Sequence, residues 1–79
     1  MNINELSTIE KTVLSALATL RISSTLPSIC KAAGLSYDEV LLGTSGLYAS
    51  SLIDFAETRQ GVYYELTDAG RRLVSTTTN

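Results

Sequence analysis

Histidine is absent from this chain, and cysteine, proline and methionine occur once each in its 79 residues. Without histidine, the commonest zinc ligand and the usual general base are missing. A single cysteine, Cys30, excludes an internal disulfide and a paired-cysteine metal site. It stands in an apolar, helix-like stretch and reads as a small core residue; the only charged neighbour that would activate it is Lys31. No apolar run approaches the roughly 20 residues that a membrane span needs. Met1 is not followed by a basic-then-apolar leader, so the expected place is the cytoplasm. No linker-like run and no internal repeat divides the sequence, which reads as one domain, 1–79, with a polar, frayed tail at 75–79. Positive charge is also scarce: six Lys and Arg stand against eight Asp and Glu, a net charge of −2. No basic residue lies between Lys31 and Arg59. Dedicated nucleic-acid binders lean basic, so this balance counts against one, although the placement of the few cations decides the matter.

Parts for catalysis are missing too. There is no glycine-rich phosphate loop before a helix, no serine nucleophile elbow and no Cys/His pair. The one pair of adjacent carboxylates, Asp38-Glu39, belongs to a helix cap. The chain therefore reads as a non-enzyme that calls for no cofactor and no metal.

What is present is a periodic apolar pattern, with 44% hydrophobic residues. Ser7-Thr8-Ile9-Glu10 is a capping box that opens a first helix. Leu6, Ile9, Val13, Ala16, Leu17 and Leu20 follow at three- and four-residue steps and make one buried face. Leu14 and Ala18 lie beside that face, widen the stripe and offer a contact for a second subunit. The helix should end near Leu20-Arg21. Ile22-Ser23-Ser24 is a bridge in which Ile22 suits a brief strand. Thr25-Leu26-Pro27 starts a second helix, with Pro27 in the first turn, where its missing N–H does no harm. Leu26, Ile29, Cys30 and Ala33 form the inner face, and Gly34 stops the helix. Ser36-Tyr37-Asp38-Glu39 is another capping box, and the third helix is expected over 36–53. Val40, Thr44, Leu47 and Ser51 line its inner side, and Leu52-Ile53 end it as buried anchors. Gly43 and Gly46 cost about 1 kcal/mol each against Ala within a helix, which points to close packing or a local bend. Asp54 to Thr58 and Val62 to Leu66 read as the strands of a hairpin with Arg59-Gln60-Gly61 at its tip. Tyr63 and Tyr64 must face opposite ways, one to the core and one to solvent. Thr67 caps a last short helix through Val74.

This order resembles the winged helix-turn-helix domain, an α+β fold of three helices, a β-hairpin wing and a short C-terminal helix. "LPSICKAAGLS", Leu26 to Ser36, is similar to the family's second helix, glycine turn and serine cap. Ser36, Val40, Leu47 and Leu52-Ile53 stand at the family's spacing, while Thr44 departs where Leu is usual and Ser51 where Gly is usual. "YYELTDAGRRLV", Tyr63 to Val74, is similar to the ending in which a wing strand runs into Leu-Thr, a small residue, Gly, a basic pair and an apolar residue. The resemblance covers most of the chain. It implies a small, sequence-specific transcription regulator that binds double-stranded DNA as a homodimer, with helix 36–53 in the major groove and the wing at 59–61 on the backbone.

Under that resemblance the DNA-contacting candidates are Ser24, Thr25, Lys31, Ser36, Tyr37, Ser45, Arg59 and Gln60. The serine and threonine residues before the second helix suit a phosphate at its N-terminus; their plain reading is ordinary capping. Asp38 and Glu39 read equally as first-turn acids that match the helix dipole. Arg71 and Arg72 read as a solvated face that pairs with Asp68. With Val40 and Leu47 turned inward, Asp38, Leu42, Ser45, Gly46 and Ala49 fall on the opposite side of the third helix. That side carries no cation, and Leu42, Gly46 and Ala49 form a smooth apolar ridge. A second reading therefore stays open: a protein-interaction module, adaptor or subunit, that docks through the outer face of helix 36–53 with Leu42, Gly46 and Ala49 as contacts, while Leu14 and Ala18 remain the contact expected for a second copy.

Overall fold

The computed structural model describes residues 2–75. A short 3₁₀ helix, Ile3–Glu5, precedes α1 (Thr8–Leu20), α2 (Leu26–Ala33) and α3 (Tyr37–Ala49). Strands β1 (Ile53–Thr58) and β2 (Gly61–Leu66) follow, then α4 (Asp68–Ser75). The capping boxes form as the sequence predicts. The Ser7 hydroxyl accepts the Glu10 N–H at 3.1 Å while the Glu10 carboxylate accepts the Ser7 N–H at 2.8 Å. At α3 the same exchange joins Ser36 and Glu39, at 3.2 and 2.9 Å. Each box satisfies two of the backbone donors that a helix start leaves without partners. Thr67 caps α4, its hydroxyl accepting the Gly70 N–H at 3.1 Å.

The core is made by Leu6, Val13, Leu14, Leu17, Ile29, Val40, Leu47, Leu52, Ile53 and Leu73. All four helices and the hairpin contribute or lean on it. Fully burying a side chain of this size contributes about 1.5–3 kcal/mol, so this one cluster holds the elements together. Two close approaches explain two of the glycines. A β-carbon on Gly43 would come within 2.8 Å of the Val13 Cγ2, so α1 and α3 meet closely there. A β-carbon on Gly70 would collide with the backbone carbonyl of Leu52, which fixes α4 against the exit of α3. The Thr67 hydroxyl donates to the Ser51 carbonyl at 2.7 Å and ties the same two segments.

The hairpin is antiparallel, with Ile53 opposite Leu66, Phe55 opposite Tyr64 and Thr58 opposite Gly61. It starts earlier than the sequence suggests, because α3 does not run to Ile53. The helix stops at Ala49, Ser50 caps it, and Ser51 takes a left-handed backbone with φ 61°. Ser51 is therefore exposed, outside the helix, and does not line its inner side. Leu52 and Ile53 are buried anchors as expected, but Ile53 belongs to β1. Ile22 forms no strand and is 71% exposed. Ser24 takes that place instead, exchanging backbone hydrogen bonds with Tyr64 at 2.8 and 2.7 Å.

Leu14 requires a correction. Expected at the margin of α1 within reach of a second subunit, it is fully buried inside its own chain. The reason is that α2, α3, α4 and β2 all pack on α1, which closes a wider arc than one helical face. The expected tail at 75–79 lies outside the described residues apart from Ser75, which ends α4.

Candidate nucleic-acid interface

α3 is held on its inner side by Val40, Gly43, Thr44 and Leu47, all buried. The Thr44 hydroxyl, standing where an apolar residue would pack, donates to the Leu41 carbonyl at 3.0 Å and so is satisfied without water. The opposite side presents Asp38, Leu42, Ser45 and Ala49 to solvent, Leu42 at 67% exposure. These four follow at steps of four, three and four residues, so they form one line along the helix. Gly46 does not belong to that line. It faces α1, where a β-carbon would run into the Glu10 carboxylate. The expected apolar ridge is thus Leu42 and Ala49 alone.

A third side of α3 carries Tyr37, Leu41 and Tyr48, at positions i, i+4 and i+11, and Tyr48 meets the hairpin. The Tyr48 and Phe55 rings lie 5.0 Å apart, and Phe55 lies 6.1 Å from Tyr64. Burial raises the Tyr64 phenol above its usual value, and the neighbouring Tyr37 adds to the shift. Tyr64 packs on the core cluster; Tyr63, on the other face of the strand, is half-buried and not exposed as expected. Among the described residues, every exposed large apolar side chain except Ile22 lies on α3 or β1: Tyr37, Leu41, Leu42, Tyr48 and Phe55. Leu41 and Phe55 were not legible as exposed from the sequence, although the four- and seven-residue steps joining Tyr37, Leu41 and Tyr48 carry the signal for the helical half of the patch.

Electrostatically this region is acidic. From α3 through β2 there are five carboxylates, Asp38, Glu39, Asp54, Glu57 and Glu65, and one cation, Arg59. Arg59 and Gln60 form the exposed hairpin tip, where the Gln60 N–H donates to the Thr58 hydroxyl at 3.2 Å. Lys31 is exposed on the last turn of α2. Among the described residues the ion pair is Arg71 with Asp68, at 2.9 Å on the surface of α4, as the sequence predicts. It contributes little, since both partners are largely in water.

The serine and threonine candidates separate. Ser24 is buried, and its hydroxyl donates to the Ile22 carbonyl at 3.0 Å, so its side chain is not available to a phosphate. Thr25 is the N-cap of α2 and accepts the Ser28 N–H at 3.4 Å. Ser36 caps α3 but remains exposed beside Tyr37, which is 55% exposed. Ala18 is half-buried and lines a groove of about 310 Å³ between α1 and α4, together with Leu17, Arg21, Ile22, Leu66 and Arg71. Among the described residues no cluster of metal-ligating side chains occurs, and no helix is long and apolar enough to cross a membrane.

No protein-family model and no curated protein matches the chain. Solved structures do match. One is the Bordetella bronchiseptica protein BpsR, whose DNA binding is described as regulated by 6-hydroxynicotinic acid; it superimposes with a TM-score of 0.85 at 24% identity over 96% of this chain and 59% of that one. A MarR-family transcriptional regulator from Silicibacter pomeroyi gives a TM-score of 0.83 at 22% identity, over 91% of this chain and 49% of its own. A candidate DNA-binding protein from Ralstonia eutropha gives 0.81 at 22% identity over 94% of this chain and 99% of its own. The chain thus spans 59% and 49% of the first two proteins and nearly all of the third. The fold is the winged helix-turn-helix, with α2 and α3 as its helical pair and the hairpin as its wing.

Proposed function

We propose that this winged helix is the DNA-contacting module of a transcription regulator that acts in the cytoplasm as a dimer, without enzymatic activity. In this reading α3 enters the major groove and the tip of the wing lies on the backbone. The observation that carries it is the placement of α3: one side is locked into the core while a complete second side, Asp38 to Ala49, stands free next to a wing whose tip holds exposed Arg59. The structural neighbours described as DNA-binding or as transcriptional regulators support the same reading. Tyr37, Ser36 and Ser45 supply hydroxyls toward the groove, and Lys31, Arg59 and Gln60 supply backbone contacts. Thr25 acts by holding the start of α2. The dimer contact falls on the α1–α4 side, where Ala18 remains accessible and Leu14 does not.

The scarcity of cations makes this reading quantitative. Each neutralised phosphate contributes about 0.9 to the salt slope of binding. A dimer using Lys31 and Arg59 from each chain has a slope of about −3 to −4 by the same rule. Fluorescence anisotropy on a random duplex across a salt series measures it. Absence of binding at low salt would rule the DNA role out.

One observation favours a second reading, a protein-docking module: the concentration of exposed apolar side chains on α3 and β1, next to an acidic surface. Large exposed apolar patches mark partner sites. Ala49→Arg and Ser45→Lys separate the two. They keep or raise nonspecific DNA binding if this face lies along a duplex, and they block a partner if it lies along protein.

A further inference from the structure

The outward line of α3 carries a selective chemistry, and we infer that it reads a pyrimidine-rich strand, with a cytosine amine on the Asp38 carboxylate and thymine methyl groups against Leu42 and Ala49. This rests on the DNA-binding reading above and adds to it the class of sequence that is bound. In the major groove, guanine presents two acceptors and is read by Arg or Lys; adenine is read by the paired donor and acceptor of Asn or Gln. α3 contains none of these four residue types over Tyr37–Ala49. The purine-reading side chains are therefore missing from the whole helix.

What remains favours pyrimidines. Glu39 is committed to the cap, where it accepts the Ser36 N–H at 2.9 Å. The Thr44 hydroxyl is buried and donates to a carbonyl. Asp38 is exposed and, among the described residues, holds no hydrogen bond or ion pair, so it is the free carboxylate of the helix. An ionised carboxylate only accepts. It is repelled by the acceptors of guanine and by the ring N7 of adenine, and it matches the amine that cytosine donates. Leu42, at 67% exposure, has alkyl surface that the fold leaves in water, and Ala49 offers a methyl group seven residues on. The complementary group in the groove is the C5-methyl of thymine. Ser45 lies between them with a hydroxyl that donates or accepts, so its position tolerates several bases.

The geometry sets the length of the site. From Asp38 to Ala49 the helix rises about 16 Å. That spans four to five base pairs at roughly 3.4 Å each. The half-site read by α3 is thus a short tract with cytosine at the Asp38 end and thymines toward the Ala49 end.

The full chain should be used to select duplexes from a random pool, and the best site then measured by anisotropy. The expected site has a pyrimidine tract on one strand of each half-site. Replacing its thymidines by deoxyuridine, which lacks only the methyl, should weaken binding about fourfold per contacted methyl. Leu42→Ala should remove most of that sensitivity. Asp38→Asn should move the preference at one position from cytosine to adenine, because an amide pairs with adenine's N6 and N7. Selection of half-sites that mix purines and pyrimidines on both strands, with no pyrimidine tract on either, overturns the inference, and so does an unchanged affinity for deoxyuridine duplexes with unchanged base preference in Asp38→Asn. Those results leave DNA binding itself intact. Failure of the parent chain to bind any duplex at low salt is the separate result that removes the DNA role and this inference together.

Discussion

α1 and α3 are both thirteen residues long and both open on a Ser-x-x-Glu capping box, yet they treat apolar side chains in opposite ways. α1 buries Val13, Leu14, Ala16 and Leu17, and its exposed positions are polar: Thr8, Ser15 and Thr19. α3 buries Val40, Gly43, Thr44 and Leu47 and leaves Leu41, Leu42 and Tyr48 in water. α1 is ringed by α2, α3, α4 and β2; α3 is covered by α1, α2 and one strand of the hairpin. Identical start signals and equal length therefore give two helices with different tasks. The fold accounts for each large apolar residue of α1. It does not account for Leu42, which is 67% exposed and still sits in the middle of a helix face. A leucine left in water on a face free of cations points outward, to whatever lies along it.

The comparison breaks most visibly with two leucines. Leu14→Ala should destabilise the chain by about 2–5 kcal/mol, the usual range for a fully buried leucine. Leu42→Ala should stay within about 0.5 kcal/mol, as surface changes do. Urea denaturation of both variants measures the pair, and a large loss from Leu42→Ala would show that α3's outer face serves the fold after all.

Two glycines sharpen the same contrast. Gly70→Ala drives a β-carbon into the Leu52 carbonyl, a backbone atom that cannot move aside, and should cost about 1–3 kcal/mol. Gly46→Ala displaces only the Glu10 side chain. It loses a cap hydrogen bond of about 1 kcal/mol and gains about as much helix propensity, so its thermal midpoint should stay near that of the parent.

The two caps should behave alike. Ser7→Ala and Ser36→Ala should each cost about 1 kcal/mol, read from the same denaturation curves. A much smaller value at Ser36 would mean that the start of α3 is held by the core and not by its box.

The smallest structural effect is expected at the wing. Arg59→Ala should leave stability unchanged, since no partner holds it among the described residues, and should lower the salt slope of DNA binding by about one ion per chain. An unchanged slope would place the wing tip away from the backbone.

Much of the architecture was readable along the chain. Both capping boxes, Pro27 in the first turn of α2, the hairpin and the Thr67 cap all rest on residues within three or four positions of one another, and such local hydrogen bonds form wherever the helix or turn forms. The candidate site was less readable. Ser24 and Leu14 were placed by local pattern, as a phosphate ligand and a subunit contact, and the packing of distant segments buried both. Ser24 pairs with Tyr64, forty residues on, and Leu14 is enclosed by elements from all along the chain. Helical periodicity alone puts Gly46 on the outer face, and the close approach of α1, with Glu10 against it, turns it inward.

The sequence by itself determined where helices and strands begin, which residues cap them, the winged order of elements and the absence of positive charge on α3. These depend on short-range hydrogen bonding, on the 3.6- and 2-residue periods and on composition. Only the tertiary structure decided that α3 ends at Ala49, that Leu41 and Phe55 join Tyr48 in one exposed patch, and that Leu14 belongs to the core. Burial and exposure are properties of what packs against a residue, and the packing partners come from segments that no local window contains.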